Sequence, residues 1–330
     1  MTVGWYVHHH GRGHLTRLSA IAPHVGRSIR VFSSLEEPSA LPENCTWTLL
    51  PRDDDAGVRA PQDADPTAGG MLHWAPLAHP GHRTRLAAIA ASIARDPVDA
   101  FVVDVSAEVT LFVRLLGVPP VLITQPGRRE DSAHRLAFAA AAAIVAPWPR
   151  ALLEPEHLRA YADKTVYTGG ISRFAHRSTG DAQRQGVVLL GGAGGTQVTD
   201  ASIAAAAAAS GAPWRILGGG SWSDDPWAAL REAGVVVSWA GQNAIADIAA
   251  AGAPAVIVPQ DRPFDEQRET GRALERAGLA VVAQEWPAAS AWPDVLARAA
   301  AMTPEWSRWQ VAGAAERAAA TITATAEAWA

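Results

Sequence analysis

Short apolar runs alternate along the chain with alanine-rich stretches of helical periodicity. The apolar runs are Val3–Val7, Ile29–Ser33, Thr46–Leu50, Phe101–Asp104, Val121–Thr124 and Ile144–Ala146, then Val187–Leu190, Trp214–Leu217, Val235–Ser238, Ala255–Val258 and Ala280–Ala283. They lack polar alternation, the mark of parallel strands buried on both faces. Helical stretches separate most of them, among others Arg83–Arg95, Asp200–Ala209, Ala244–Ala251 and Glu266–Ala277. Strand and helix in steady alternation predict an α/β protein built from doubly wound sheets.

The pattern restarts near Gly186, after a polar stretch that carries Pro149, Pro155 and the pair Gly169-Gly170. Two domains are therefore expected, residues 1–165 and 166–305. Residues 306–330 are helical in composition and have no partner strand. The region Pro51–Pro80, rich in Asp, Pro and Gly, reads as a long loop, a feature that usually serves function. Two doubly wound sheets leave a cleft between their carboxyl edges, and ligands of such sheets bind there. Functional motifs should thus follow strands.

Composition narrows the field. A chain of 330 residues is comfortable for two domains, and its net charge of −5 speaks against a nucleic-acid or anionic-membrane binder. An anionic ligand would need backbone donors and a few arginines. The single cysteine, Cys45, excludes an intrachain disulfide and fits a reducing compartment. Met1–Val7 shows neither the basic start nor the apolar core of a leader, and runs such as Leu136–Ala146 are too short to cross a bilayer. A cytoplasmic protein is expected, one that can visit a membrane surface peripherally.

The first motif is His8-His9-His10-Gly11-Arg12-Gly13-His14-Leu15-Thr16-Arg17, directly after the first strand. Gly11 and Gly13 permit a tight turn and close ligand approach. The dinucleotide fingerprint fails because Thr16 replaces its third glycine. In an extended segment His8–His10 would point to alternating sides, and no carboxylate or cysteine cluster completes a metal spacing, so no metal is expected. His14 differs: it opens a helix at the cleft, where a neutral imidazole can take a proton from an alcohol.

The second motif, Val187–Thr196, ends a strand in a glycine-rich turn before a helix. Such backbone N–H groups and the helix dipole make an anion site, and the absence of the Walker Lys-Ser/Thr excludes a P-loop. The third runs from Val235 through Trp239-Ala240-Gly241-Gln242-Asn243 to Asp247, then on to Phe264-Asp265-Glu266-Gln267. Gly241 opens a helix whose end can face a phosphate. Asp247, two turns in, is placed for the vicinal hydroxyls of a ribose.

These residues resemble the inverting GT-B glycosyltransferases of family 28, the group of the lipid II N-acetylglucosaminyltransferase. The likeness is good over 186–280, recognisable over 1–20 and 165–175, and weak over 30–150. It implies a GT-B fold: two Rossmann-like domains facing a cleft, with a C-terminal helix crossing back to the first. It implies transfer of a sugar from a UDP- or dTDP-sugar to an acceptor hydroxyl, with no cofactor or metal. Gly11-Arg12-Gly13-His14 matches the acceptor-facing turn, with His14 as catalytic base and Arg12, Arg17 and His79 on the acceptor side. Arg173, in Gly169–Arg173, matches the arginine near the diphosphate. Gly13, the turn Gly191, Gly192, Ala193, Gly194 with Thr196, and the turn Ala240, Gly241, Gln242, Asn243 fall on the donor site. So do Trp222, within the base-recognition segment Ser221–Trp227, the ribose acid Asp247, Asp265, and the sugar-reading Gln267. Two departures stand out: Ala193 replaces a serine of the phosphate turn, and Trp239 stands where a polar or basic residue is common.

The acceptor is open: a glycan, a lipid-linked molecule or a small molecule. A nucleotide-sugar hydrolase or epimerase on the same template is the alternative, since hydrolases that resemble this template carry a Gly-x-Gly-His-x-x-Arg turn too. The long loop with Trp74, His79 and His82 favours a true acceptor. A non-catalytic binder would be indicated by a His14 turned away from the cleft.

Overall fold

A computed structural model describes residues 2–54, 64–180, 182–192, 195–218, 221 and 223–329. The first sheet holds seven parallel strands in the order β3-β2-β1-β4-β5-β6-β7. They are β1 (Thr2–Tyr6), β2 (Ser28–Ser33), β3 (Cys45–Leu49), β4 (Ala100–Asp104), β5 (Pro120–Ile123), β6 (Ala143–Ala146) and β7 (Thr165–Tyr167). Helices α1 (Gly13–Ile21), α2 (Pro80–Arg95), α3 (Ala107–Leu115), α4 (Ser132–Ala140) and the short α5 (Glu156–Arg159) join them. The second sheet holds five parallel strands in the order β12-β11-β10-β8-β9. These are β8 (Gln185–Leu190), β9 (Trp214–Leu217), β10 (Ala233–Ser238), β11 (Ala255–Ile257) and β12 (Val281–Val282), with α6 (Asp200–Ser210), α7 (Trp227–Glu232), α8 (Gln242–Ala251), α9 (Glu266–Arg276), α10 (Trp292–Ala300) and α11 (Ala314–Ala328).

The apolar runs predicted as strands all form strands, because side chains buried on both faces leave little room for polar residues. β7 is an addition. It pairs with β6 through Thr165, Val166 and Tyr167, two residues past the expected boundary at 165, so the change of sheet lies between 167 and 185. Its three residues are all half-buried, too short and too polar to register as an apolar run.

Two strand orders place the cleft. In the first sheet the chain runs from β1 outward to β3, then returns to β4 beside β1. In the second it runs from β8 to β9, then returns to β10 beside β8. Each return is a switch point, and the carboxyl ends of β1, β4, β8 and β10 face one cleft, where doubly wound sheets bind ligands.

Away from the cleft the domains are joined by packing. Trp148, Phe174, Trp306 and Trp309 belong to one buried cluster with residues of both sheets. Trp306 Nε1 donates to the Ala253 carbonyl at 2.9 Å. Gly169 and Gly170 let the crossing chains touch: a Cβ on Gly170 would lie 2.3 Å from Trp309 Nε1, and Gly169 adopts a φ of +79° against Gln310. α11 then buries Ala315, Ala318, Ala319, Ile322 and Ala326 with Val3, Leu18 and Ile21 of the first domain. Arg317 of α11 donates twice to the Thr168 carbonyl, at 2.8 and 2.6 Å. No helix among the described residues is long and apolar enough to cross a membrane.

Candidate active site

The cleft offers about 250 Å³ and is lined from both domains. β1 is buried and ends at Tyr6; Gly11, with φ of +76°, turns the chain into α1. That places His14 in the first turn of α1, largely buried at 9 % exposure, yet lining the cleft. Its Nδ1 lies 3.1 Å from Asp104 Oδ1. Asp104 ends β4, fully buried, and also receives Arg17 Nη1 at 2.6 Å. Burial alone would raise the Asp104 carboxyl, but the Arg17 guanidinium and the His14 imidazole outweigh it and hold the group below its usual range. An ionised carboxylate beside Nδ1 favours the proton on that nitrogen and leaves Nε2 as the acceptor. The contact is off the line of a hydrogen bond, as catalytic pairs often are before substrate closes on them.

The second domain answers with backbone. After β8 the chain turns at Gly191 and Gly192, both on the cleft. After β10, Trp239 and Gly241 lead into α8, capped by Gly241, so the free N–H groups of its first turn open on the cleft. Asp247 is buried on the same helix. Ser172 Oγ donates to its Oδ1 at 2.6 Å, and Arg173 Nε stands 3.7 Å from Oδ2. Burial drives its pKa up to about 6 against those two contacts. Gln267 Oε1 accepts the Gln260 N–H at 2.9 Å, which fixes the loop before α9.

The two walls are stitched across the cleft. Arg17 Nη2 donates to Gln242 Oε1 at 2.9 Å, and Asn243 Nδ2 to the Gly13 carbonyl at 2.7 Å. Arg12 Nη1 lies 3.4 Å from Asp224 Oδ1. Arg173 Nη1 donates to the Asp224 carbonyl at 2.7 Å. Several buried polar atoms of cleft-lining residues have no hydrogen-bond partner among the described residues: Arg17 Nε, Gln242 Nε2, Arg173 Nε and Trp239 Nε1. Unmet buried groups are costly, and their gathering here marks a site that a ligand completes.

Most of the residues proposed from sequence thus come together: Arg12, Gly13, His14, Arg17, Arg173, Gly191, Gly192, Gly241, Gln242, Asn243, Asp247 and Gln267 line one cleft. Four do not. Thr196 spends its hydroxyl on Gln260 Oε1 at 2.9 Å. Ala240 is fully buried in the core. Asp265 sits outside the lining, in a left-handed conformation with φ of +56°, 3.6 Å from Arg128 Nε of the first domain. His79 is the buried N-cap of α2 and accepts the His82 N–H at 3.2 Å, a structural task away from the cleft. Ala193, Gly194 and Trp222 lie outside the described residues.

Sequence reasoning missed Asp104, Gln125, Arg129 and Glu266. Asp104 carried a signal, an acid closing an otherwise apolar strand. Glu266 lines the cleft and meets Arg129 Nη2 at 3.3 Å across the domain boundary; burial raises its carboxyl despite Arg129. Its neighbour Phe264, at φ of +63°, accepts the Arg128 N–H at 2.7 Å and rests against Gly127. Nothing local in the sequence announces that contact. His8–His10 follow the end of the strand in a bend, with His8 half-buried, His9 buried and His10 exposed.

Residues 220–291 match the glycosyltransferase family 28 C-terminal domain. No curated protein matches the chain in sequence. Among solved structures, the glycosyltransferase of kitacinnamycin superposes with a TM-score of 0.67 at 14 % identity, over 99 % of this chain and 97 % of that one. MurG of Acinetobacter baumannii gives 0.63 at 15 % identity, over 98 % and 99 %. Phytolacca americana UGT2, solved with UDP-2fluoro-glucose and pterostilbene, gives 0.65 at 15 % identity, over 99 % and 94 %. These likenesses establish the fold: the chain has the GT-B fold, and its residues 220–291 resemble the C-terminal domain of glycosyltransferase family 28.

Proposed function

We propose that the chain moves a sugar from a nucleoside-diphosphate sugar to an acceptor hydroxyl, with inversion and without a metal ion at the diphosphate. The observation that carries this reading is the pairing of His14 with a buried, ionised Asp104 opposite the open N-terminus of α8. The nucleotide lies on the second domain. Gly191, Gly192, the first turn of α8 and Arg173 meet the diphosphate charge, a preorganised role that takes the place of a cation. Asp247 takes the ribose hydroxyls and Gln267 the sugar. Three structural neighbours were solved with UDP or a UDP-sugar, which supports a uridine donor.

The acceptor lies on the first domain. His14 Nε2 takes its hydroxyl proton while the oxygen attacks the anomeric carbon. The bond from that carbon to the phosphate oxygen breaks, and its electron pair leaves with the diphosphate. Attack from the face opposite the leaving group inverts the centre.

The test is a proton NMR titration with UDP-, dTDP- and GDP-sugars, wild type against His14→Ala, with and without an acceptor panel. Donor binding without release of free sugar, and acceptor-dependent turnover lost in His14→Ala with donor affinity kept, is the expected outcome. Rapid release of free sugar without acceptor replaces the transferase with a hydrolase. Retained turnover in His14→Ala removes the base assignment.

A further inference from the structure

Beside the transfer cleft lies a second group of chemistry-bearing side chains that the proposed reaction does not use. Leu50 N–H donates to the Ser33 carbonyl at 2.7 Å and Ser34 Oγ to the Pro51 carbonyl at 3.0 Å, which holds the chain after β3 against the end of β2, the strand beside β1. Trp74 Nε1 pins the Asp53 carbonyl at 2.8 Å. Asp54 therefore meets the histidine turn. His9 Nε2 and His10 Nε2 converge on one oxygen, Asp54 Oδ2, at 3.1 and 3.4 Å.

The His9 contact with Asp54 is off the line of a well-formed hydrogen bond. The His9 side chain is only 2 % exposed, and among the described residues neither of its ring nitrogens has a hydrogen-bond partner. The ligand atoms of a tetrahedral zinc site stand about 3.3–3.5 Å apart, as its bond lengths of about 2.0–2.2 Å require. The two contacts to Asp54 Oδ2 fall close to that edge length. Arg52 Nε holds the other carboxylate oxygen, Oδ1, at 2.9 Å, the kind of outer contact that orients a ligating carboxylate. Arg52 Nη2 shares Oδ2 at 2.6 Å, but the side chain is half-exposed, and the oxygen keeps a second lone pair. Asp53 stands behind, 3.9 Å from His9 Nε2 and paired with Arg85.

We propose that His9, His10 and Asp54 bind one divalent cation of the zinc type through two imidazole nitrogens and one carboxylate oxygen, with water in the fourth position. Such a donor set suits zinc, cobalt, nickel or copper rather than magnesium or calcium. The ion ties the turn that carries His14 to the Pro51–Asp54 segment. His10 also lines the cleft, so the ion stands at its acceptor-side edge, apart from the donor phosphates. The nearby triad His73, Asp131 and His134 is a useful contrast. There His73 Nε2 meets Asp131 Oδ1 at 2.9 Å, His134 Nδ1 meets Oδ2 at 2.5 Å, and Arg129 Nη1 closes on His134 Nε2 at 2.8 Å. There both imidazoles are hydrogen-bonded, and a guanidinium sits on the second nitrogen of His134.

The experiment uses the full chain without an affinity tag, stripped by chelator and titrated with cobalt(II), then with zinc(II). The expected result is one cobalt per chain, with the visible bands of a four-coordinate nitrogen–oxygen site, displaced by one equivalent of zinc. His10→Ala and Asp54→Asn should each weaken binding at least about tenfold. His10 is 67 % exposed, so its variant should fold, as circular dichroism would verify. His73→Ala should bind as wild type. No stoichiometric binding, binding that His10→Ala and Asp54→Asn leave unchanged, or binding lost in His73→Ala instead overturns the proposal.

Discussion

Asp104 and Asp247 are both buried aspartates at the same cleft, one on each domain, and their environments push them in opposite directions. Asp104 ends β4 with Arg17 at 2.6 Å and His14 at 3.1 Å, and these charges keep it ionised in spite of burial. Asp247, two turns into α8, has a serine hydroxyl at 2.6 Å and an arginine nitrogen only at 3.7 Å, and burial lifts it to about 6. Burial alone does not set the charge of a carboxyl; the nearest cation does. The difference separates the two walls. The first domain holds a permanent anion that orients an imidazole, a device for moving a proton. The second holds a carboxyl whose charge is unsatisfied until a ligand arrives, a device for gripping hydroxyls.

The hardest blow to this contrast is Asp104→Asn. With the anion gone, His14 loses its orienting partner and Arg17 is left as a buried charge hydrogen-bonded to the neutral Gln242 side chain. Turnover at saturating donor should fall about a hundredfold to ten-thousandfold, the share a positioned general base supplies. Donor affinity by calorimetry should hold, while thermal stability drops, since breaking a buried ion pair costs about 3–5 kcal/mol. A kcat within threefold of wild type would make Asp104 a structural acid only.

The mirror experiment is Asp247→Asn. The amide keeps an oxygen for Ser172 and removes the charge. Donor Kd should weaken about tenfold to a hundredfold, the worth of about 1.5–3 kcal/mol in hydrogen bonds to a charged group. The kcat at saturating donor should stay near wild type. If Asp247→Asn lowered kcat and spared Kd, the division of labour between the walls would be wrong.

How much of this was legible depends on distance along the chain. Strands such as Val235–Ser238 read directly, since burial on both faces demands a continuous apolar run, and the turns that follow them, Gly191-Gly192 and Gly241–Asn243, are local and read with them. Asp104 did not: it meets His14 only because the chain returns to β4 beside β1, a switch point that no local pattern encodes. His9 and His10 are the same case, completed by Asp54 from the far side of β3. Residues that the structure places off the cleft lining have the same origin. Thr196 and His79 carry suitable chemistry at plausible positions, yet the Thr196 hydroxyl is spent on Gln260 and His79 Nδ1 on the His82 N–H. Asp265 falls where the motif places it, but the left-handed backbone at Phe264 and Asp265 turns it toward Arg128.

The smallest expected effect gives the sharpest reading of the contrast. Because the Asp247 carboxyl is raised from 3.8 to about 6 by burial, the native chain holds a proton there that the unfolded chain has lost. Its contribution to stability therefore falls as pH rises across that window. A ribose diol donates to the ionised form, so donor binding expels the proton below pH 6. Affinity for a UDP-sugar, whose diphosphate carries no group titrating there, should tighten from pH 5 to 7 and level off above, with a slope no steeper than about tenfold per pH unit. Calorimetry in buffers of different ionisation enthalpy would report the released proton. In Asp247→Asn that component should vanish. Affinity that instead weakened as the pH rose would mean that the protonated carboxyl donates to the ligand, and Asp247 would then differ from Asp104 in protonation state during binding as well as before it.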